Sequence, residues 1–397
     1  MDVNLGLSEG SKADGRKGRS KLSDPVARPS EVIVVGAGIV GCAIAHELAR
    51  RGASVQIVDQ RAAGMGATQA SAGILAPYIE AGKDATLLDL TVRSLDLYDD
   101  FVARVGADSG MSVPYHRTGT FQVAMNDEEM AELRSAAAWL DTTRVAAHLL
   151  DAHAARAEEP QVSDAVVGAL VVPTHGFTSA GELTRALVKA ACRHGARLRE
   201  TRAVRRIGPQ GGDLIVETDE GPLAGHAVVL AAGSWSGQID IVGVRDRVPV
   251  RPVRGQLLRL AWRGPAVRRV TWRGRCYLVP WDDGTVLVGA TVEDVGFEER
   301  TTVAGVRDLM EAAAEIIPAV WSAGFAGAYA GLRPATADGL PIIGASRVLP
   351  NLMYATGHYR NGVLLTPLTA ALVADAMLEK RIDPALAGIS PQRFGDL

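Results

Sequence analysis

The sequence has little of what marks disulfide-bonded, zinc-binding, membrane-spanning or nucleic-acid-binding proteins. Its three cysteines, Cys42, Cys192 and Cys276, are far apart and form no Cys-x-x-Cys pair. Neither a disulfide framework nor a zinc cluster is expected, and the setting read from them is reducing and cytoplasmic. An excess of charge is missing too: the formal net charge is −3 and the basic residues are scattered, so nucleic acid and anionic membranes are not expected partners. No apolar run reaches the roughly eighteen residues of a membrane span; the best candidate, 362–378, contains Pro367 and Asp375. The eight histidines show no ligand-like spacing and no Ser-His-Asp constellation is evident, so no metal is expected. Residues 1–30 are rich in Gly, Ser, Lys and Arg and have no apolar signal core. They read as a disordered tail, with Asp2, Glu9, Asp14 and Asp24 arguing against a transit peptide.

What is present is a 397-residue chain with 47% hydrophobic residues, enough for two or three domains around a sizeable core. Order begins at Glu31 with "EVIVVGAGIVGCAIAHELARRGASVQIVDQ", a β-branched run, a glycine turn, a helix and a second β-branched run: a βαβ unit. Helical patterning recurs at 87–104, 127–140 and 182–194, and strand-like runs at 119–124, 166–172 and 214–218. "HAVVLAAGSWSG" reads as a return to the first sheet. From Val248 to Val292 the runs "QLLRLAW", "RCYLVP" and "TVLVGATV" alternate and are separated by turns, as in an antiparallel sheet.

"GAGIVG" sets Gly36, Gly38 and Gly41 in the Gly-x-Gly-x-x-Gly spacing between strand and helix. Gly36 permits the tight turn, Gly38 the approach of a pyrophosphate to the positive helix end, and Gly41 close packing of helix on strand. Asp59 ends the second strand, where a carboxylate can accept hydrogen bonds from ribose hydroxyls. These residues predict dinucleotide binding and leave NAD and FAD both open. A second loop of small residues, "AAGMGATQASAGIL", suits a backbone lying against a flat ligand. Cys42, inside the first helix, reads as a small core residue.

With these residues in view the chain resembles the D-amino acid oxidase superfamily of flavoproteins, and within it the glycine oxidases of thiamine biosynthesis. The resemblance runs from Glu31 to about Leu378 and is carried by "GATQASAGILAP", "VVLAAGSWSG", "PVRGQ", "CYLVP", "VGAT", "AGLRPATADGLPIIG" and "GHYRNGVLLTP". It implies non-covalent FAD and an α/β fold, α+β overall: a Rossmann-like FAD-binding domain with a second, antiparallel-sheet substrate domain. It assigns to the cofactor Gly36, Gly38, Ile39, Val40, Gly41 and Asp59; Gly66, Ala67, Thr68, Ser71, Ala72 and Gly73; Val204, Ala232 and Gly233; and the loop Gly357, His358, Tyr359, Arg360, Asn361, Gly362 and Val363. It casts Arg333 as the bidentate partner of the substrate carboxylate and Tyr277 as its helper, with Arg360 reaching substrate or flavin. Arg275, two residues before Tyr277, stands where glycine oxidases carry histidine and is expected as an extra cation in the pocket.

The implied domain order is a tail (1–30), FAD domain (31–100), substrate domain (101–160), FAD domain (161–240), substrate domain (241–325) and FAD domain (326–385). The implied reaction is hydride transfer from Cα of a neutral amine to flavin, with oxygen reduced to hydrogen peroxide and no general base assigned. The expected partners are a small amino acid or amine and oxygen, with homo-oligomers also implied. A D-amino acid dehydrogenase, a sarcosine-type amine oxidase and a non-catalytic flavoprotein subunit share the flavin motifs, and an NAD-dependent dehydrogenase shares the first of them.

Overall fold

The computed structural model describes residues 30–397 except residue 83; the tail expected over 1–30 lies outside the described residues apart from Ser30, which opens the first strand. That strand, Ser30–Val35, lies between Val55–Val58 and Gly221–Leu230, parallel to both. Arg197–Arg199 extends the parallel array on one side. On the other side Gly221–Leu230 divides its edge. Its first half pairs antiparallel with Asp213–Thr218, and its second half pairs in parallel with Leu352–Thr356. Val55–Val58 and Leu352–Thr356 are wholly buried because both faces are covered there: helices on one, the Ile207, Val216 and Tyr354 cluster on the other.

Three helices press on this sheet. Ile39–Arg50 is rich in alanine and packs against Ala180–Arg193 and Thr366–Ala374; its small buried residues, Cys42, Ala43 and Ala45 among them, permit the close approach. Helix starts follow local capping: the Asp84 carboxylate accepts from Leu87 N, and Ser179 Oγ from Glu182 N. The helix expected over 87–104 is two helices, Ala85–Asp96 and Tyr98–Ser109, broken at Leu97.

The second sheet has eight strands, ordered Gly324–Ala335, Arg251–Ala261, Thr285–Gly289, Cys276–Pro280, Val270–Arg273, Thr120–Ala124, Gly168–Val172 and His148–Asp151. All neighbours are antiparallel except Val270–Arg273 beside Thr120–Ala124. Three expected boundaries move. Phe101 and Val105, expected in the substrate domain, pack into the core under the nucleotide sheet. Gly168–Val172, expected to rejoin the FAD domain at 161, pairs with Thr120–Ala124 in the second sheet. Gly324–Ala335, expected to leave at 326, stays paired with Arg251–Ala261 up to Ala335. A strand inside a continuous hydrogen-bonded ladder cannot be divided between domains without orphaning its backbone groups. That long strand carries the chain from one sheet to the other, and the site lies along it. Among the described residues, no helix is long and apolar enough to cross a membrane.

Candidate active site

A cavity of about 550 Å³ runs between the two sheets, with the glycine turn at one end and Tyr277 and Arg333 at the other. At the first end the backbone sets the shape. Gly36 has φ +112°, and a Cβ there would stand 2.3 Å from Ala231 O, so no other residue fits the turn. A Cβ on Gly41 would stand 2.0 Å from Gly36 O, which makes Gly41 the packing residue beneath the turn; it does not line the cavity. Gly38 caps the helix Ile39–Arg50 without a side-chain hydrogen bond, leaving a positive helix end facing the cavity. Thr68 Oγ1 accepts from Ile39 N at 3.2 Å and ties the second small-residue loop to this turn. The Asp59 carboxylate accepts from Ala37 N at 2.6 Å and Arg61 N at 2.8 Å. Burial raises its pKa against the pull of those two N–H donors.

The same end holds residues the sequence did not flag. Arg61 forms a two-pronged pair with Glu299, at 3.1 and 2.6 Å, and lies 4.5 Å from the Trp235 ring centroid. Phe297 lies 5.9 Å from Trp235, and all four residues line the cavity. Trp235 stands within the quoted "GSWSG", the one signal that pointed to it; Arg61 and Glu299 are 238 residues apart and gave none. Arg202 and Arg205 also line the cavity beside Val204.

The loop 357–363 passes between the two ends. Gly362, Val363, His358, Tyr359 and Arg360 line the cavity, whereas Gly357 and Asn361 lie behind it. His358 Nε2 lies 3.1 Å from Thr369 Oγ1, and burial pushes its pKa down to about 4, so the ring is neutral. Asn361 is 3% exposed, and its side-chain oxygen has no partner among the described residues. Pro367 falls in the first turn of Thr366–Ala374, where a missing N–H costs nothing.

At the other end side chains set the shape. Arg333, on the long strand, donates from Nη1 to Thr291 O at 3.0 Å and Arg254 O at 3.3 Å. No carboxylate pairs with it among the described residues. A Cβ on Gly255 would stand 2.3 Å from the guanidinium, and one on Gly289 2.5 Å from the Tyr277 hydroxyl, so two glycines make the room for these side chains. The Tyr277 hydroxyl makes no hydrogen bond among the described residues; burial raises its pKa, with Arg333 and Arg360 drawing it back. Arg360 is gripped by Glu80, Nε to Oε2 at 2.8 Å and Nη2 to Oε1 at 3.1 Å. Burial opposes its charge, and Glu80 more than restores it.

Arg275 is a correction. Alternation from Tyr277 would turn it to the same face, but the strand begins at Cys276 and pairs with Arg273 directly. Gly274 and Arg275 are therefore the two-residue hairpin loop, and Arg275 is exposed and absent from the cavity wall.

A glycine-turn nucleotide site shares one cavity with an arginine that has no carboxylate partner among the described residues, an arrangement suited to a dinucleotide-dependent oxidoreductase. Known proteins agree. The sequence matches the DAO family, FAD dependent oxidoreductase, over residues 31–376. It is 32% identical to the glycine oxidase of Geobacillus kaustophilus, over 91% of this chain and 97% of that one. It is 34% identical to the bifunctional protein ThiO/ThiG of Nostoc sp. over 90% of this chain, which spans about half (54%) of that longer relative. The crystal structure of the Geobacillus enzyme matches with a TM-score of 0.87, over 92% of this chain and 98% of that one. That of iminodiacetate oxidase from Chelativorans sp. BNC1 matches with 0.84, at 26% identity over 91% of this chain and 98% of that one. The protein belongs to the DAO family of FAD-dependent oxidoreductases.

The cavity fits the cofactor the family implies. The turn at Gly36 and the helix end beside Gly38 suit a pyrophosphate, Asp59 a ribose, and the small-residue run 66–73 a flat ring system. When bound, FAD supplies a two-electron acceptor.

Proposed function

We propose that the protein oxidises glycine, or a similarly small amino acid or amine, to the imine, which hydrolyses to the keto acid, while oxygen becomes hydrogen peroxide. The product would feed the thiazole branch of thiamine biosynthesis, a role taken from the likeness to glycine oxidases and ThiO/ThiG. One observation carries the reading: the Arg333 guanidinium faces the cavity with only backbone carbonyls as partners among the described residues. An arginine fork held this way is poised for a carboxylate, and two parallel N–H···O bonds would fix its orientation. The Tyr277 hydroxyl is the second donor. Arg360 is already neutralised by Glu80, so one carboxylate rather than two matches the charge present. Rate then derives from holding Cα in place, since the neutral His358 is engaged with Thr369 and no free base stands beside the clamp among the described residues.

The test is anaerobic mixing of the flavoprotein with glycine, sarcosine and D-alanine in turn, following the visible flavin absorbance. Bleaching by glycine, with recovery and peroxide on admission of air, supports the proposal. Bleaching only by sarcosine or D-alanine would keep the amine-oxidising class and overturn the glycine assignment. Recovery with a quinone but without peroxide would make the protein a dehydrogenase.

A further inference from the structure

The helix-covered face of the nucleotide domain holds a second cluster of chemistry-bearing side chains, remote from the cavity. His46 lies on Ile39–Arg50, Asp108 in the last turn of Tyr98–Ser109, and His194 caps the C-terminus of Ala180–Arg193. His46 Nε2 is 2.7 Å and His194 Nε2 is 3.2 Å from the same oxygen, Asp108 Oδ2. All three atoms lie within 4.8 Å of one another, and the imidazole centroids are 5.8 Å apart. None of the three lines the cavity. The three residues share no local spacing and meet only when three helices pack.

We infer that His46, Asp108 and His194 bind one divalent transition-metal ion of the zinc class, with a fourth position left to water. Two imidazole nitrogens and one carboxylate oxygen suit zinc, cobalt, nickel or copper, and suit magnesium or calcium poorly. Bonds of roughly 2.1 Å to a shared ion require ligand atoms no more than about 4.2 Å apart. Both nitrogen–oxygen separations meet that limit, and the pair of nitrogens reaches it with a shift below about 1 Å. His194 can make that shift: it ends a helix and is 33% exposed, while His46, at 1%, is fixed by the core.

Nearby cations do not compete for the carboxylate. Arg50 is forked onto Glu47 at 3.1 and 2.7 Å, and Arg193 donates at 3.0 Å to the backbone oxygen of Asp108. The ion would staple three helices, one of which begins at the glycine turn. It takes no part in the oxidation.

The experiment uses the untagged flavoprotein, stripped with a chelator and titrated with zinc by calorimetry and with cobalt by its visible bands beyond the flavin absorbance. One equivalent per chain is expected, with a rise in melting temperature on adding zinc. Asp108→Asn and His194→Gln should each weaken uptake about tenfold or more and abolish the zinc-induced rise, at unchanged flavin content. The rise, rather than the melting temperature itself, is the readout, because lost hydrogen bonds alone would not move it. No stoichiometric uptake at submillimolar zinc, or equal uptake by both variants, would overturn the inference.

Discussion

The two ends of the cavity are built on opposite plans. At the nucleotide end the backbone provides the surface: a glycine at φ +112°, a helix end that starts at Gly38 and a run of small residues. At the substrate end side chains provide it: Arg333, Tyr277, Arg360 and Glu80, brought together from four separate segments and given room by Gly255 and Gly289. A backbone surface tolerates few substitutions and recognises what dinucleotides have in common. A side-chain surface can be rebuilt one residue at a time, so under the proposed function the cofactor follows from one end while the choice of substrate rests on the other.

That division can be broken at either end. The largest effect is expected from Arg333→Ala, which should lower kcat/KM for the amine substrate on the order of 10²–10³-fold without loss of flavin. Arg333→Lys should recover only part, since a point charge replaces a planar fork. Steady-state kinetics with flavin absorbance as the control checks both. Gly41→Ala places a methyl 2.0 Å from Gly36 O. Overpacking of about 1–3 kcal/mol should raise the flavin dissociation constant roughly ten- to a hundredfold, read by ultrafiltration of the released flavin. Were each substitution to impair the other function instead, the cavity would not be divided as described.

A smaller change is expected from Glu80→Gln, which leaves the Arg360 guanidinium unpaired at the substrate end. An amine carrying two carboxylates should gain on glycine by roughly tenfold, about 1.4 kcal/mol, in competing kcat/KM. The smallest effect concerns pH. Burial pushes His358 down to about 4 at the flavin loop and His175 down to about 3 in the second domain, where it bonds Thr120. Both are neutral when folded and titrate near 6.5 when unfolded. As pH falls below about 6.5 the unfolded chain takes up protons first, so the stability these groups contribute is present above that pH and is lost as pH falls toward 4 and 3. Between pH 6.5 and 5.5 the loss is no more than about 1.4 kcal/mol per histidine. Urea unfolding of His175→Gln should show a correspondingly flatter acid limb.

The contrast also explains what could be read in the chain. The nucleotide end was legible because its constraints are local: Gly36, Gly38 and Gly41 lie within one turn, and Asp59 ends the next strand. The antiparallel alternation after Val248 was legible for the same reason. Glu80 carried no signal because its partner, Arg360, is 280 residues away. Arg275 was misplaced because the resemblance to glycine oxidases put that position in the pocket, whereas here it falls in a two-residue hairpin loop and is exposed. The domain boundaries near 101, 161 and 326 moved because ladder pairing and helix packing, which no local pattern reveals, decide where each segment belongs.

The central claim is that Arg333 and the flavin face one substrate in one cavity. It is tested most directly by adding a small carboxylate that cannot be oxidised, such as acetate, to the oxidised flavoprotein and recording the visible flavin spectrum. The account predicts a saturable perturbation in the unaltered protein, and its loss in Arg333→Ala at equal flavin content. An equal perturbation in both, with the same dissociation constant, would contradict it.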